Sequence, residues 1–246
     1  MDKKKRVAVI ILFSVMLITA IVLGSIKLYR VKRTRESGIL LAFDDASMDN
    51  WRQHFEFFEK YNVHVTFFLS IDGKPNDFCF EAMERGHDIG FHTTDHSDVT
   101  KLSKEEIQKK VIDPIENFRK EGIELTSFAY PYGSHTSELD EELLKYYKIV
   151  RGAYYYDLHS KADLRHGFID AFPIDNHYLA KDEDYKARID EILKELSDNV
   201  GAVACLYSHS IDGGDWCVTE EHLEYLFQKA DELGLKFYTF RELQEE

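Results

Sequence analysis

The 246-residue chain has only three cysteines, Cys79, Cys205 and Cys217, and no Cys-x-x-Cys pair. A thiolate zinc site therefore has no support. Cys205 stands in the apolar run GAVACLY and reads as a small buried hydrophobe, while a Cys79–Cys217 pairing has no spacing signature. Basic residues are scarce beyond the N-terminus. Residues 1–35 hold nine of them against one acid, Asp2, which leaves a net charge of −22 on residues 36–246. That body lacks the basic stripe a nucleic-acid binder needs to replace counterions, so nucleic acid is excluded as a partner. There is no internal repeat and no low-complexity tract. What the chain does have is 44% apolar and 13% aromatic residues, enough to bury a core and to exclude disorder. A body of this length fits one α/β domain, or else two small ones.

The basic residues flank a second feature. Between Arg6 and Lys27 lie twenty residues without a charge, VAVIILFSVMLITAIVLGSI. As a helix rising about 1.5 Å per residue they span roughly 30 Å, a bilayer core. The run is longer than the roughly 7–15 apolar residues of a signal peptide, so a retained anchor is the preferred reading over a cleaved signal. The expected organisation is a basic flank at 1–6, a transmembrane segment at 7–26, a polar connector at 27–37 and a folded domain at 38–246. Four basic residues precede the span and five follow it, so charge alone assigns no orientation.

Along the body, strand-like and helix-like segments alternate. Strands are expected at Gly38–Phe43, Val63–Leu69, Asp88–Phe91, Ser127–Ala129, Lys148–Gly152, Gly201–Tyr207 and Leu235–Thr239. Helices are expected at Met48–Tyr61, Phe78–Arg85, Ser103–Lys120, Ser137–Tyr147, Lys181–Ser197 and Thr219–Leu233. Ser103 and Glu106 form a capping-box pattern, and Pro114 should kink or break the helix they start. Residues 153–180 show no clean period. Strands alternating with helices imply βα units and a parallel sheet, and seven or eight such units can close into a barrel.

Four polar clusters follow strand-like runs: Asp44-Asp45, the run His92 to His96, Pro131-Tyr132-Gly133 and Ser208-His209. In a parallel sheet the C-terminal strand ends share one face, so these clusters converge on one mouth. Each has a plain structural explanation of its own: turn formers, solvent-facing histidines, a simple turn, a rim histidine. Together they make coherent chemistry. Two imidazoles and a carboxylate suit a catalytic zinc ion with open positions, a second carboxylate can take a proton from water, and a separate histidine can protonate a leaving group. This set describes metal-assisted hydrolysis of an amide or ester.

These motifs resemble those of the polysaccharide deacetylases, carbohydrate esterase family four. LAFDDAS is similar to the family's first motif, VTFFL to the strand after it, GHDIGFHTTDH to the second motif, FAYPYG to the third and LYSHS to the last, in the right order over residues 38–240. The resemblance implies a distorted (β/α)7–8 barrel, here preceded by the N-terminal membrane helix, and a metal-dependent deacetylase acting on an acetylated glycan. It implies Asp45, His92 and His96 as metal ligands, Asp44 as general base and His209 as general acid. The backbone N–H of Tyr132, after Pro131, would meet the oxyanion. His₂Asp suits Zn²⁺, and Co²⁺, Ni²⁺ or Fe²⁺ would also be accepted.

Three departures stand out. The arginine that often opens the third motif and holds the base is Ala129 here. The fourth motif is not recognisable, which leaves Asp170 or Asp175 to tether His209. The residue two before His209 is Tyr207 rather than leucine, at a position that helps line the family's acetyl pocket. Trp216, in a Gly-Gly loop after His209, is a candidate for stacking on a sugar. The other histidines, His54 and His87 among them, read as surface or loop residues. The expectation is a membrane-anchored enzyme with an extracytoplasmic domain that deacetylates N-acetylhexosamine in poly-N-acetylglucosamine, peptidoglycan or a chitin-like polymer. The FAYPYG form resembles the branch of the family that includes deacetylases of exported poly-N-acetylglucosamine. The rivals are a catalytically weak glycan-binding member of the same fold and a hydrolase of small amides.

Overall fold

The computed structural model describes residues 37–160 and 163–245, together with 15, 16, 18 and 19. Most of the expected membrane span 7–26 thus lies outside the described residues, among which no helix is long and apolar enough to cross a membrane.

Twelve strands are present among the described residues: β1 Gly38–Asp45, β2 Thr66–Leu69, β3 Asp88–Phe91, β4 Ser127–Ala129, β5 Ile149–Arg151, β6 Leu158–Ser160, β7 Gly167–Ile169, β8 Phe172–Pro173, β9 Ala202–Ser208, β10 Ser210–Ile211, β11 Cys217–Val218 and β12 Lys236–Tyr238. Strands β9, β1, β2, β3, β4, β5 and β7 pair in that order, all parallel. Just beyond β7, the chain pairs β8 with β9, again in parallel. Residues 167–173 therefore act as one interrupted stave that brings the ring back to its start, a near-closed mixed α/β barrel of seven staves. β6 lies antiparallel on β9, and β12 lies beside the start of β1.

The period of two along β1 sorts its side chains. Ile39, Leu41 and Phe43 face the helices, while Leu40 and Ala42 face the barrel interior with Phe68, Ala129, Ile149, Cys205 and Tyr207. Local signals set the helix ends. The Ser103–Glu106 capping box forms, Thr219 caps the helix Glu220–Leu233, and Gly234 ends that helix at φ +72°.

The expected helix Ser103–Lys120 is three pieces, with a π-turn at Gln108–Ile112 ahead of Pro114. Proline cannot donate to the carbonyl four residues back, at Lys110. That carbonyl accepts instead from Thr94 N–H at 3.2 Å, and Lys110 Nζ reaches Asp95 at 2.7 Å. The break in this helix thereby holds the loop that carries His92 and His96. The expected helix Met48–Tyr61 is likewise interrupted, at His54.

All three cysteines are free and buried, so Cys79 and Cys217 are not paired. His54 and His87 are buried rather than on the surface, because their rings pack among the phenylalanines under the sheet or against a helix end.

Candidate active site

At the C-terminal ends of β1, β3, β4, β5 and β9 lies a cavity of about 300 Å³. Asp44, Asp45, His92, His96, Tyr132, Tyr154, Tyr207, His209 and Trp216 reach it, so the strand-end clusters do converge.

Consecutive residues on a strand point to opposite faces. Asp44 continues the inward series of Leu40 and Ala42, so Asp45 should point out toward the helices. It does not, because Asp45 takes a left-handed conformation with φ +84°. Both carboxylates therefore face the cavity. The His92–His96 loop is not helical. Thr93 at φ +65° and His96 at φ +57° turn the chain back so that both rings meet Asp45. Asp45 Oδ1 lies 3.4 Å from His92 Nε2 and 3.1 Å from His96 Nε2.

The tautomer of His92 follows from its other nitrogen. Nδ1 lies 2.8 Å from the carbonyl oxygen of Ala129, which can only accept. Nδ1 therefore carries the proton and Nε2 offers a lone pair toward Asp45, the usual way a metal-ligating imidazole is held. Burial would raise the Asp45 carboxyl's pKa, but the close imidazoles of His92 and His96, with His209 beyond them, outweigh it and hold it far below the carboxylate range.

One ligand atom from each of Asp45, His92 and His96 lies within 4.8 Å of the others, and Asp45 Oδ1 is buried without a well-formed hydrogen bond. The donor set, the tautomer and the unsatisfied oxygen all fit a divalent ion.

Asp44 is held by a residue that the sequence reading missed. Arg151, at the end of β5, donates from Nη2 to Asp44 Oδ2 at 2.5 Å, and both side chains are almost fully buried. The register explains the substitution. Ala129 on β4 pairs with Arg151 on β5, so the guanidinium absent from one stave arrives from its neighbour. The small Ala129 side chain leaves room for it. The guanidinium lies over the rings of Phe68 (5.0 Å) and Tyr207 (4.8 Å) and donates from Nη1 to Gly152 O at 3.0 Å. Tyr207, the departure from leucine, thus stacks on the relocated arginine. The other oxygen, Asp44 Oδ1, is buried with no hydrogen bond from the protein. Arg151 was detectable as the charge that follows the apolar pair Ile149-Val150, at the same strand end as the other clusters.

His209 follows β9, and its carbonyl accepts from Trp51 Nε1 at 2.7 Å. Asp175, fully buried, lies 3.6 Å from His209 Nδ1, ion-pair range rather than a formed hydrogen bond. Burial disfavours the His209 cation, but Asp175, Asp44 and Asp45 outweigh it and raise the pKa above its ordinary value. Asp170, the other tether considered, is not near His209. Its carboxylate lies against Gly152, where a Cβ would stand only 2.6 Å from Oδ1.

Tyr132 lines the cavity at φ +60°, its ring edge-on to His96 at 4.5 Å. Pro131 is buried in the turn and does not line the cavity. It sets the φ that starts the turn. Trp216 lines the cavity and stacks on His177 at 3.9 Å.

Comparison with known proteins finds a matching family profile, similar chains and the same fold. Residues 31–148 match the family profile described as Polysaccharide deacetylase. Over 126 residues the chain is 27% identical to the peptidoglycan-N-acetylglucosamine deacetylase PgdA of Listeria monocytogenes, a stretch covering 49% of this chain and 27% of PgdA. The matched part is less than half the length of the curated relatives it resembles. The chitin deacetylase of Colletotrichum lindemuthianum shares the fold at a TM-score of 0.58 and 19% identity, over 85% of this chain and 87% of that one. A family 4 acetyl xylan esterase from Clostridium thermocellum, solved with a cobalt ion, gives 0.57 at 20% identity, over 83% and 89%.

Proposed function

From a chain that belongs to the polysaccharide deacetylase family, we infer a hydrolase of acetylated sugars. More specifically, we propose a metal-dependent enzyme that removes acetyl groups from N-acetylhexosamine residues of a glycan. One observation carries this reading: Asp44, held on one oxygen by Arg151, presents its other oxygen beside three convergent metal-ligand atoms.

Asp45, His92 and His96 would hold the ion, most simply Zn²⁺, which supplies Lewis acidity toward water and the acyl oxygen. Asp44 Oδ1 takes the proton of the attacking water. Arg151 fixes the direction of that oxygen and compensates the charge at Oδ2. His209, whose cation three carboxylates favour, delivers a proton to the leaving nitrogen. The Tyr132 N–H is the donor for the developing oxyanion. The rival reading of a member that binds without turnover rests on the missing arginine at 129 and the unrecognisable fourth motif; Arg151 on Asp44 speaks against the first ground and Asp175 facing His209 against the second.

The uncharged run 7–26 supports a membrane-attached enzyme, and the glycan-deacetylase reading favours a catalytic domain outside. Carbonate washing of membranes and protease protection of the domain test this.

The activity is tested by acetate release across N-acetylglucosamine oligomers, peptidoglycan and acetylxylan, with and without chelator. Release that chelator abolishes and Zn²⁺ or Co²⁺ restores is the expected result. Full activity in metal-free His92→Ala protein would refute the metal mechanism.

A further inference from the structure

We propose that the mouth of this site carries a saccharide-binding shelf made of Tyr154, Tyr178 and Trp216. Its ligand is the sugar units that flank the one being deacetylated. The proposal rests on the glycan-deacetylase reading and names the residues that would hold the glycan beyond the reacting sugar.

The three rings come from three separate loops, after β5, after β8 and between β10 and β11. They form one array. Tyr154 and Tyr178 have ring centroids 5.6 Å apart, Tyr178 and Trp216 are 6.0 Å apart, and His177 backs Trp216 at 3.9 Å. Tyr154 is 41% exposed and Tyr178 43% exposed, although large rings ordinarily gain by burial. Exposed apolar surface gathered in one place marks an interaction site rather than scatter.

The array is continuous with the chemistry, because Tyr154 and Trp216 also line the cavity that holds Asp44 and the three ligand residues. Tyr154 at φ +75° and Trp216 at φ +60° adopt a backbone conformation that bulky side chains rarely take. Such strain concentrates where a side chain must be presented to a ligand. A pyranose offers a flat face of C–H groups rimmed by hydroxyls. Tyrosine and tryptophan match it with an apolar face and a polar tip. Asp215, exposed beside Trp216 and on the cavity wall, adds an acceptor for sugar hydroxyls. A small amide would leave this shelf unused.

The test is calorimetric titration of the full chain in detergent, carrying Asp44→Asn so that no turnover intervenes. The probes are β-1,4- and β-1,6-linked N-acetylglucosamine tetrasaccharides and the monosaccharide. At least one tetrasaccharide should bind about ten-fold tighter than the monosaccharide. Tyr154→Ala and Tyr178→Ala should each weaken it about three- to ten-fold, and Tyr178→Phe, which keeps the ring, should restore it. Equal binding of monomer and tetramer, absence of saccharide binding, or tetramer binding indifferent to both alanine variants would overturn the shelf. Acetate release by the wild-type chain is measured alongside. Shelf-dependent binding without acetate release would sink the deacetylase reading and leave the shelf. Acetate release with binding indifferent to Tyr154 and Tyr178 would do the reverse.

Discussion

Two clusters of histidine and carboxylate among the described residues bring three ligand atoms within 4.8 Å of one another: Asp45–His92–His96 and His54–Asp212–Glu220. Their residue types are similar, but their hydrogen bonding is not. In the second, His54 Nδ1 already meets Glu220 Oε1 at 2.7 Å, and Asp212 Oδ1 accepts from Glu220 N–H at 2.9 Å. Those groups satisfy each other and tie the His209 loop to the helix that begins at Glu220. In the first, a backbone carbonyl fixes the His92 tautomer from behind, and a buried carboxylate oxygen lacks a well-formed partner. Proximity of ligand types is therefore weak grounds for a metal site. A site is marked by donors aimed at a common point and left unspent on one another.

The largest effect should come from attacking that difference directly. His92→Ala should reduce bound metal to background and abolish acetate release, while His54→Ala leaves metal content at about one ion per chain. Elemental analysis of both variants checks this, and equal metal loss in the two would erase the distinction.

Next in size is Arg151→Ala. It strands a buried carboxylate, Asp44, which should cost about 3–5 kcal/mol of stability and remove activity. Denaturant unfolding measures the first and acetate release the second. A fully stable variant would mean that the Arg151–Asp44 pair does not organise the barrel interior.

A third buried histidine separates tautomer control from metal binding. Burial, with the charges of His64 and Arg85, pushes the His87 pKa down to about 3, and its Nδ1 accepts from Val65 N–H at 3.2 Å. The unfolded chain takes up this proton near pH 6.5 and the folded one does not until about 3. Between those values the unfolded state binds more protons, so stability falls as pH drops through that window. The loss should reach a few kcal/mol by its lower end, and unfolding curves of His87→Phe should show a shallower acid slope.

The smallest effect is expected from Glu220→Gln. It removes the charge facing His54 on a partly exposed side chain, and about 0–1 kcal/mol is expected. A larger loss would indicate that the second cluster does more than pin a loop.

Seven strands and the four strand-end clusters were legible because each depends on local pattern: apolar runs, and polar residues following a strand. The π-turn ahead of Pro114 was legible as a break, since proline's missing N–H acts wherever it stands. The twenty-eight residues 153–180 were not, because their short strands β6, β7 and β8 are two or three residues long and carry no period to read. The tether of His209 stayed open between Asp170 and Asp175 for the same reason.

The amino-acid sequence by itself determined the donor types, their attachment to strand ends and the acidic character of the body. These follow from residue chemistry and short-range geometry. Only the tertiary structure decided which arginine holds Asp44, which aspartate faces His209, and that Tyr154, Tyr178 and Trp216 share one surface. Each of those is a juxtaposition of distant segments set by strand register and ring closure. A one-stave move of an arginine, from 129 to 151, breaks a linear motif while leaving the charge at the same place in space.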